Sequence, residues 1–352
     1  MHFDFNEDQR LLQQTVRDFL TAECPVDRIR GFWATDTGRS PELWKQLAEI
    51  GIPGLLVPEE HDGLGMDETD MVLLLEETGR AALAEPVVGT LVGTALLREG
   101  TRAELAAEWL PRVASGEAQL AVGHRESPFV ADAHVADLLL LPHGDSIHAL
   151  SPSDVRLEAQ PSNDGSQRLF RITFDPSPAS EFASGPEATA LLGSALDRGA
   201  FACAAEALGV ADQLIALAVD YASQRVQFGV PIGSFQAVKH MLADVKVQLE
   251  YARSHVYRAS HSVAHASESR SLDCSMAKIA ACESAREAAK ASLQVHGAIG
   301  YTYEQDVHVW MKRAWSLDLA YGDPVFHRRR LCAAVIDGAP PAQSFGYSFR
   351  GA

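Results

Sequence analysis

Apolar residues recur along this chain at two different spacings, and the switches between them divide it into three parts. Up to about residue 117 the spacing is helical. Within Glu7–Ala22, the residues Leu11, Leu12, Val16, Phe19 and Leu20 fall on one side of a helix. Pro41 stands at a first helical turn ahead of Trp44, Leu47, Ala48 and Ile50, and Gly51 ends that segment. The run Val57–Gly65 reads as a loop and Asp67–Arg80 as a further helix.

After Gly116 the texture changes to short apolar or alternating runs: Ala118–Gly123, Asp137–Leu141, Ser146–Leu150 and Leu169–Phe174. Prolines and glycines (Pro128, Pro142, Gly144, Pro152, Pro161, Gly165) punctuate them, which predicts strands joined by turns. The segment ends near Pro186, and at about 70 residues it is short beside a full β sandwich of roughly 100. From Glu187 the helical spacing returns. Phe235, Val238, Leu242, Val245, Leu249, Ala252, Val256, Ala259 and Val263 predict one long helix with a continuous buried seam, suited to an antiparallel bundle. Leu192–Tyr221 and Leu272–Leu293 carry similar alanine-rich patterns, and a last helix, Val325–Ile336, stops before Pro340-Pro341. The expected fold is mainly α with a small β domain: an N-terminal helical domain (1–117), a reduced β domain (118–186) and a C-terminal four-helix bundle (187–352).

Composition narrows the function classes. A net charge of −17 repels nucleic acid over most of the surface. No run approaches the roughly 18 uncharged apolar residues of a membrane span, and Met1–Glu7 does not resemble a secretory signal. Cys24, Cys203, Cys274, Cys282 and Cys332 lie far apart, as reduced core residues of a cytoplasmic protein would. His240 and His255 lack metal spacing, and neither a phosphate-binding GxxxxGK loop nor a strand–GxGxxG–helix unit is present.

The chemistry gathers between two long helices, in Arg225-Val-Gln-Phe-Gly-Val-Pro-Ile-Gly-Ser-Phe-Gln236. Gly229 and Gly233 relax this loop, Pro231 stiffens it, and Ser234 is placed to cap the next helix. The loop offers an arginine fork, the amide of Gln227 and the ring of Phe228. A planar guanidinium matches two oxygens of a pyrophosphate at once. By residue type alone two readings stay open, a nucleotide-binding loop and a helix–helix turn with a surface arginine.

Taken as a motif, Arg-x-Gln-Phe-Gly-x-Pro-Ile-Gly-x-Phe-Gln resembles the flavin-contacting loop of the acyl-CoA dehydrogenase family. Three further stretches resemble that family in the same order: Trp44–Glu60 its N-terminal helical domain, Trp109–Glu117 the entry to its β domain, and Gln294–Glu304 its C-terminal glycine loop. The resemblance implies an FAD enzyme that abstracts a proton from Cα of an acyl-CoA while a hydride passes from Cβ to the flavin. It also implies that Arg225 binds the FAD pyrophosphate of a neighbouring subunit. Gln227 and Phe228 would lie along the adenosine side, with Gln294, His296, Gly297 and Ala298 bordering the same half. Ala298 stands where the family usually has a second glycine, and His296 reads as a packing residue rather than a ligand.

Two departures qualify this. The base is a glutamate in most members, and that position holds Tyr321 here, a weak base at neutral pH. The alternative glutamate position, on an earlier helix, falls at Gly199; Asp197 and Glu206 are near but out of register. Asp323 is a displaced candidate in a stretch that reads equally as a turn. In the β domain only Gly123–Phe129 stands where the family has a Gly-Ser-Asp stretch, and its Trp-Ile-Thr stretch has no counterpart. The resemblance therefore points to the smaller, non-catalytic partner in a heteromeric enzyme like the α2β2 dehydrogenases of bacterial steroid side-chain degradation. A larger catalytic subunit would supply the base and most of the acyl-CoA site, and an electron-transfer flavoprotein would accept the electrons. A self-sufficient homomer and a flavin-free scaffold are the alternatives.

Overall fold

The computed structural model describes residues 4–338 and the backbone of 343–344 and 347–348. The N-terminal helices are α1 (Glu7–Glu23), α2 (Val26–Trp33), α3 (Pro41–Glu49), α4 (Glu68–Arg80), α5 (Val87–Glu99) and α6 (Ala103–Ala114). Local sequence explains where they begin. Asn6 and Gln9 form a reciprocal capping box on α1, and the Ser40 side chain accepts from the Leu43 amide ahead of Pro41 on α3. Strands follow: β1 (Leu120–Val122), β2 (Val130–Ala131), β3 (Leu138–His143), β4 (Ser146–Leu150), β5 (Arg156–Gln160), β6 (Leu169–Thr173) and β7 (Glu181–Ser184). Then come α7 (Gly185–Gln224), the two-residue strands β8 (Val226–Gln227) and β9 (Val230–Pro231), α8 (Gln236–Ala264), α9 (Arg270–His296), α10 (Val307–Leu319) and α11 (Pro324–Cys332). A π-helical turn, Ala333–Asp337, prolongs α11 as the sequence suggests; Pro340-Pro341 lies outside the described residues.

The chain forms two compact units, one of residues 27–71 and 84–199, the other of 1–26, 72–83 and 200–352. The first holds all of β1–β7, three more strands than the sequence pattern suggested. They make a four-stranded sheet, β1-β3-β4-β7, and a three-stranded sheet, β2-β6-β5. Leu139, Leu141 and Leu150 of one sheet and Val130 of the other share a core with Leu157, Phe170 and Ile172. The extra strands escaped notice because β2 has only two residues and β5 is largely exposed, which leaves no apolar alternation to read. In the same unit Trp44 Nε1 donates to the Gly116 carbonyl at 3.0 Å, joining two stretches that the family motif had marked separately.

Glu85, 6% exposed, accepts from the Ser40 amide at 2.9 Å, and its other oxygen has no partner among the described residues. Burial pushes this carboxyl up to about 7, although the Ser40 amide and Arg39 pull it back; Asp132 adds to the rise and Arg28 opposes it. A carboxyl raised in the folded state stabilises fully below its unfolded value, and that contribution is lost as pH climbs through the folded one. The loss should approach 3 kcal/mol, to order of magnitude, between about pH 4.5 and 7.5. Urea midpoints across that range should fall in the wild type and stay flatter in Glu85→Gln; parallel profiles would refute this.

In the second unit, α4 and α7 cross at the closest possible distance. A Cβ on Gly209 would lie 1.8 Å from the Glu76 carbonyl oxygen, and one on Gly79 would lie 2.0 Å from that of Glu206. Only paired glycines let the backbones meet there. α8 and α9 pack along their lengths, with α10 and α11 against α9. The expected seam of α8 is buried from Val245 to Val263, but Phe235 is 37% exposed and Val238 and Leu242 are only half-buried. The first turns of α8 thus present apolar surface. α7 contains an 18-residue window apolar enough by mean hydropathy to cross a membrane, though no run of uncharged apolar residues of that length, and 67% of the window is buried within the chain, as in a core helix. Cys332 is exposed, unlike the other four cysteines.

Candidate cofactor-binding site

The Arg225 loop is a tight hairpin on the end of α7. The Arg225 amide donates to the Tyr221 carbonyl at 2.8 Å, and the Ile232 amide to the Arg225 carbonyl at 2.8 Å. Val226 pairs with Pro231 and Gln227 with Val230, leaving Phe228 and Gly229 as the turn. Both have positive φ, 54° and 82°, as a two-residue hairpin of this hand requires. Gly229 adopts that backbone freely. Phe228 does not: a left-handed conformation costs a branched or bulky residue about 1–2 kcal/mol. Its ring is nevertheless 94% exposed, with Phe235 edge-on at 6.2 Å. The Gln227 side-chain Nε2 donates to the Val226 carbonyl at 2.8 Å. Ser234 is not the cap of α8, since its hydroxyl turns back to the Pro231 carbonyl at 2.7 Å and Phe235 occupies the capping position.

The second stretch lies at the same end of the bundle. α9 ends at His296, and Gly297 (φ 65°) begins a 3-10 turn that runs to Tyr301. His296 is buried, its Nδ1 2.8 Å from the Ser292 carbonyl and its ring stacked on Tyr221 at 4.4 Å. Tyr221, Ile232 and Val238 pack on Ala218, Ala222 and Val295, so one small core anchors the hairpin and the glycine turn together. Gln294, Gly297 and Ala298 face outward. Sequence reasoning overlooked Tyr301 and Tyr303, which are 78% and 71% exposed beside this turn, the latter with Lys312 Nζ 4.7 Å from its ring centre.

The donor set fits one half of a dinucleotide. Arg225 is exposed and its guanidinium makes no hydrogen bond or ion pair with any described residue, in a chain with 17 excess negative charges. Such an arginine is available for an anion. Added Cβ atoms at Gly229 and Gly297 would meet nothing within 4 Å, so the backbone there is open to a ligand.

The positions at which the family resemblance places a base look different. Tyr321 (φ 52°) and Gly322 (φ 95°) form a left-handed corner after α10. Lys278, fully buried, clamps that corner by donating to the carbonyls of Leu317 (2.7 Å), Asp318 (3.1 Å) and Gly322 (3.1 Å). His327 Nε2 lies 3.0 Å from the Tyr321 carbonyl. Lys278 was illegible in the sequence, since a lysine in an alanine-rich helix normally reads as solvated. The Asp323 carboxylate accepts from the Phe326 amide at 2.7 Å and caps α11, so its turn reading holds. Asp318 reaches Arg286 at 3.4 Å; burial pushes its carboxyl up and Arg286 pulls it back. Gly199 is buried inside α7, and Glu206 accepts from the Thr78 hydroxyl at 3.0 Å. In the Gly123–Phe129 stretch, Arg125 donates to the Gly144 carbonyl and the Ser127 hydroxyl to that of Phe129.

Residues 6–117 match the sequence model of the acyl-CoA dehydrogenase N-terminal domain, and residues 189–336 that of the C-terminal domain. Acyl-CoA dehydrogenase IpdE2 of Mycolicibacterium smegmatis is 32% identical over 336 residues, spanning 94% of this chain and 100% of that protein. A solved Tcur3481-Tcur3483 steroid ACAD variant aligns with a TM-score of 0.84 at 25% identity, over 94% of this chain and 98% of that one. The ChsE4-ChsE5 complex from Mycobacterium tuberculosis aligns with a TM-score of 0.85 at 23% identity, over 96% and 100%. The chain belongs to the acyl-CoA dehydrogenase family. FAD is the cofactor of that family, in agreement with the sequence expectation.

Proposed function

We propose that this chain is the non-catalytic subunit of a heteromeric, FAD-dependent acyl-CoA dehydrogenase. The carrying observation is an asymmetry. The Arg225 guanidinium is exposed and without a partner among the described residues, beside a Phe228 held exposed on a left-handed backbone, whereas neither expected base position carries a carboxylate. Arg225 would hold the pyrophosphate of FAD bound by a partner subunit. Gln227 and Phe228 would lie along its adenosine, and Gln294, Gly297 and Ala298 would border the same half, with His296 holding their turn in place through Tyr221. When bound, FAD accepts the hydride from the Cβ of the acyl-CoA.

Under this reading the partner supplies the base and the contacts to the flavin ring and the thioester. The relatives named as steroid enzymes and as a two-protein complex support a bulky, steroid-derived acyl group and a heteromer. An electron-transfer flavoprotein is the natural acceptor. The division into an N-terminal helical domain, a small β domain and a C-terminal bundle belongs to the same proposal.

Purified alone, the chain should neither retain stoichiometric flavin nor bleach it with an acyl-CoA. Coexpression with a longer homologue that keeps the glutamate should restore both. Flavin reduction by the lone chain would overturn the proposal. The homomeric alternative needs Asp323 as its base, and the engagement of that carboxylate as a helix cap argues against it. Asp323→Asn should accordingly leave the turnover of the assembly within about threefold, since removing a working base costs 10²–10⁴.

A further inference from the structure

Where α8 ends, two histidines stand four residues apart on one face of the helix. The rings of His261 and His265 lie nearly parallel, with 13° between their planes and 4.0 Å between their centres. This spacing is the helical arrangement by which two imidazoles reach one metal ion. His265, which caps the helix, is exposed, and its Nδ1 lies 3.0 Å from the His261 carbonyl. A carbonyl can only accept, so in the neutral ring Nδ1 carries the proton and Nε2 keeps its lone pair. Metal-binding histidines are held in just this manner, one ring nitrogen donating to an oxygen so that the other is oriented.

The surroundings favour a cation. The carbonyls of the last turn form the negative end of the helix dipole. Glu268 is exposed in the short connection to α9, and Arg258, one turn before His261, is committed to Asp273 at 2.6 Å. We infer that His261 and His265 form a binding site for a divalent cation of the kind imidazole prefers, zinc or copper. Among the described residues no third histidine, cysteine or carboxylate joins them, so water completes the coordination. Structural zinc sites use four protein ligands, and an ion held by two exchanges with solvent.

Such an ion braces a strained corner. The Ser267 amide donates to the Ser262 carbonyl at 2.9 Å and the Ala266 amide to that of Val263 at 3.1 Å, the pair of bonds that closes a helix through a left-handed residue. That residue is Ala266 (φ 47°), where glycine would be unstrained. A metal linking His261 to His265 spans the turn that leads into this corner. His261 lies 26 positions beyond Phe235, about 39 Å along α8. The site is thus remote from the hairpin and does not depend on the flavin proposal.

Calorimetric titration of the full chain with Zn²⁺ should reveal a micromolar site that a His261→Gln/His265→Gln variant lacks. Each single variant should weaken it by about 10-fold or more, since even outer-shell changes at metal sites cost 10–100-fold. Mg²⁺ should not compete, because it prefers oxygen ligands, and Arg225→Ala should leave the affinity unchanged. With Cu²⁺ offered as its nitrilotriacetate complex, electron spin echo modulation should report two bound imidazoles in the wild type and one in either single variant. Circular dichroism guards against misfolding. Equal Zn²⁺ affinity in the wild type and the double variant, or a wild-type copper spectrum with a single imidazole, would overturn the inference.

Discussion

Replacing Arg198 with methionine is expected to destabilise the protein by about 3–5 kcal/mol, the largest effect among these substitutions. Arg198 is 4% exposed, with its Nε 2.7 Å from Glu68 Oε1 and its Nη2 2.6 Å from Glu99 Oε1. It also donates to the Ser194 hydroxyl, which in turn donates to Glu99 at 2.7 Å. One guanidinium therefore ties the first turn of α4, the last turn of α5 and the middle of α7. Burial alone would favour the neutral form, but the two carboxylates more than compensate and hold the guanidinium firmly charged.

A buried ion pair adds little over a well-packed apolar substitute, yet removing one partner strands the other charge. Glu68 is 1% exposed, and its other cation among the described residues, Arg98, stands 3.7 Å away. Arg198→Lys keeps the charge but reaches only one of the two carboxylates, and about half the loss is expected. Adding Glu68→Leu to Arg198→Met should recover much of the stability, because both buried charges then leave together. The readout is the urea midpoint of the first unfolding transition. An Arg198→Met variant within 1 kcal/mol of the wild type would contradict the assignment, that figure being the scale of an ordinary surface change.

The second large effect lies at the hairpin and rests on the proposed function. Arg225→Ala should weaken FAD binding in the assembled enzyme by about 10- to 100-fold. A hydrogen bond to a charged group contributes roughly 1.5–3 kcal/mol, and each 1.4 kcal/mol is a factor of ten. Folding should be untouched, since the guanidinium contacts no described residue. Arg225→Lys should recover only part, because an ammonium keeps the charge but not the two-pronged geometry. Titration of the apo assembly with FAD, followed by flavin fluorescence, measures both. Equal affinity in wild type and Arg225→Ala would remove the flavin role and leave the scaffold alternative standing.

How much of this was legible before the fold was known depends on the range of the interaction. The long helices were, because their apolar residues repeat every three or four positions and the pattern is local. α8 was expected from Phe235 and runs from Gln236 to Ala264. The seam on its first turns was misjudged, since periodicity says which face is apolar and not whether anything covers it. β2, β5 and β7 were missed because short or exposed strands leave no alternation. Arg225, Gln227 and Phe228 were singled out by their motif, whereas Lys278 and Arg198 were not. A lysine that caps a helix end and an arginine between two glutamates acquire meaning only from residues distant in sequence.

By itself, then, the amino-acid order determined the helical periods, the glycine and proline punctuation, the family motif, and the Tyr321 and Gly199 that stand where the resemblance places a glutamate. These are properties of neighbours along the chain or of single side-chain types. Only the tertiary structure decided that Asp323 is engaged as a cap, that Arg225 and Gln294–Ala298 stand on one small core, and that the Phe228 ring faces solvent on a strained backbone. Burial, pairing and exposure depend on which distant atoms come within a few ångströms. The hairpin and the glycine turn adjoin because α9 brings His296 against Tyr221, a contact between residues far apart in sequence.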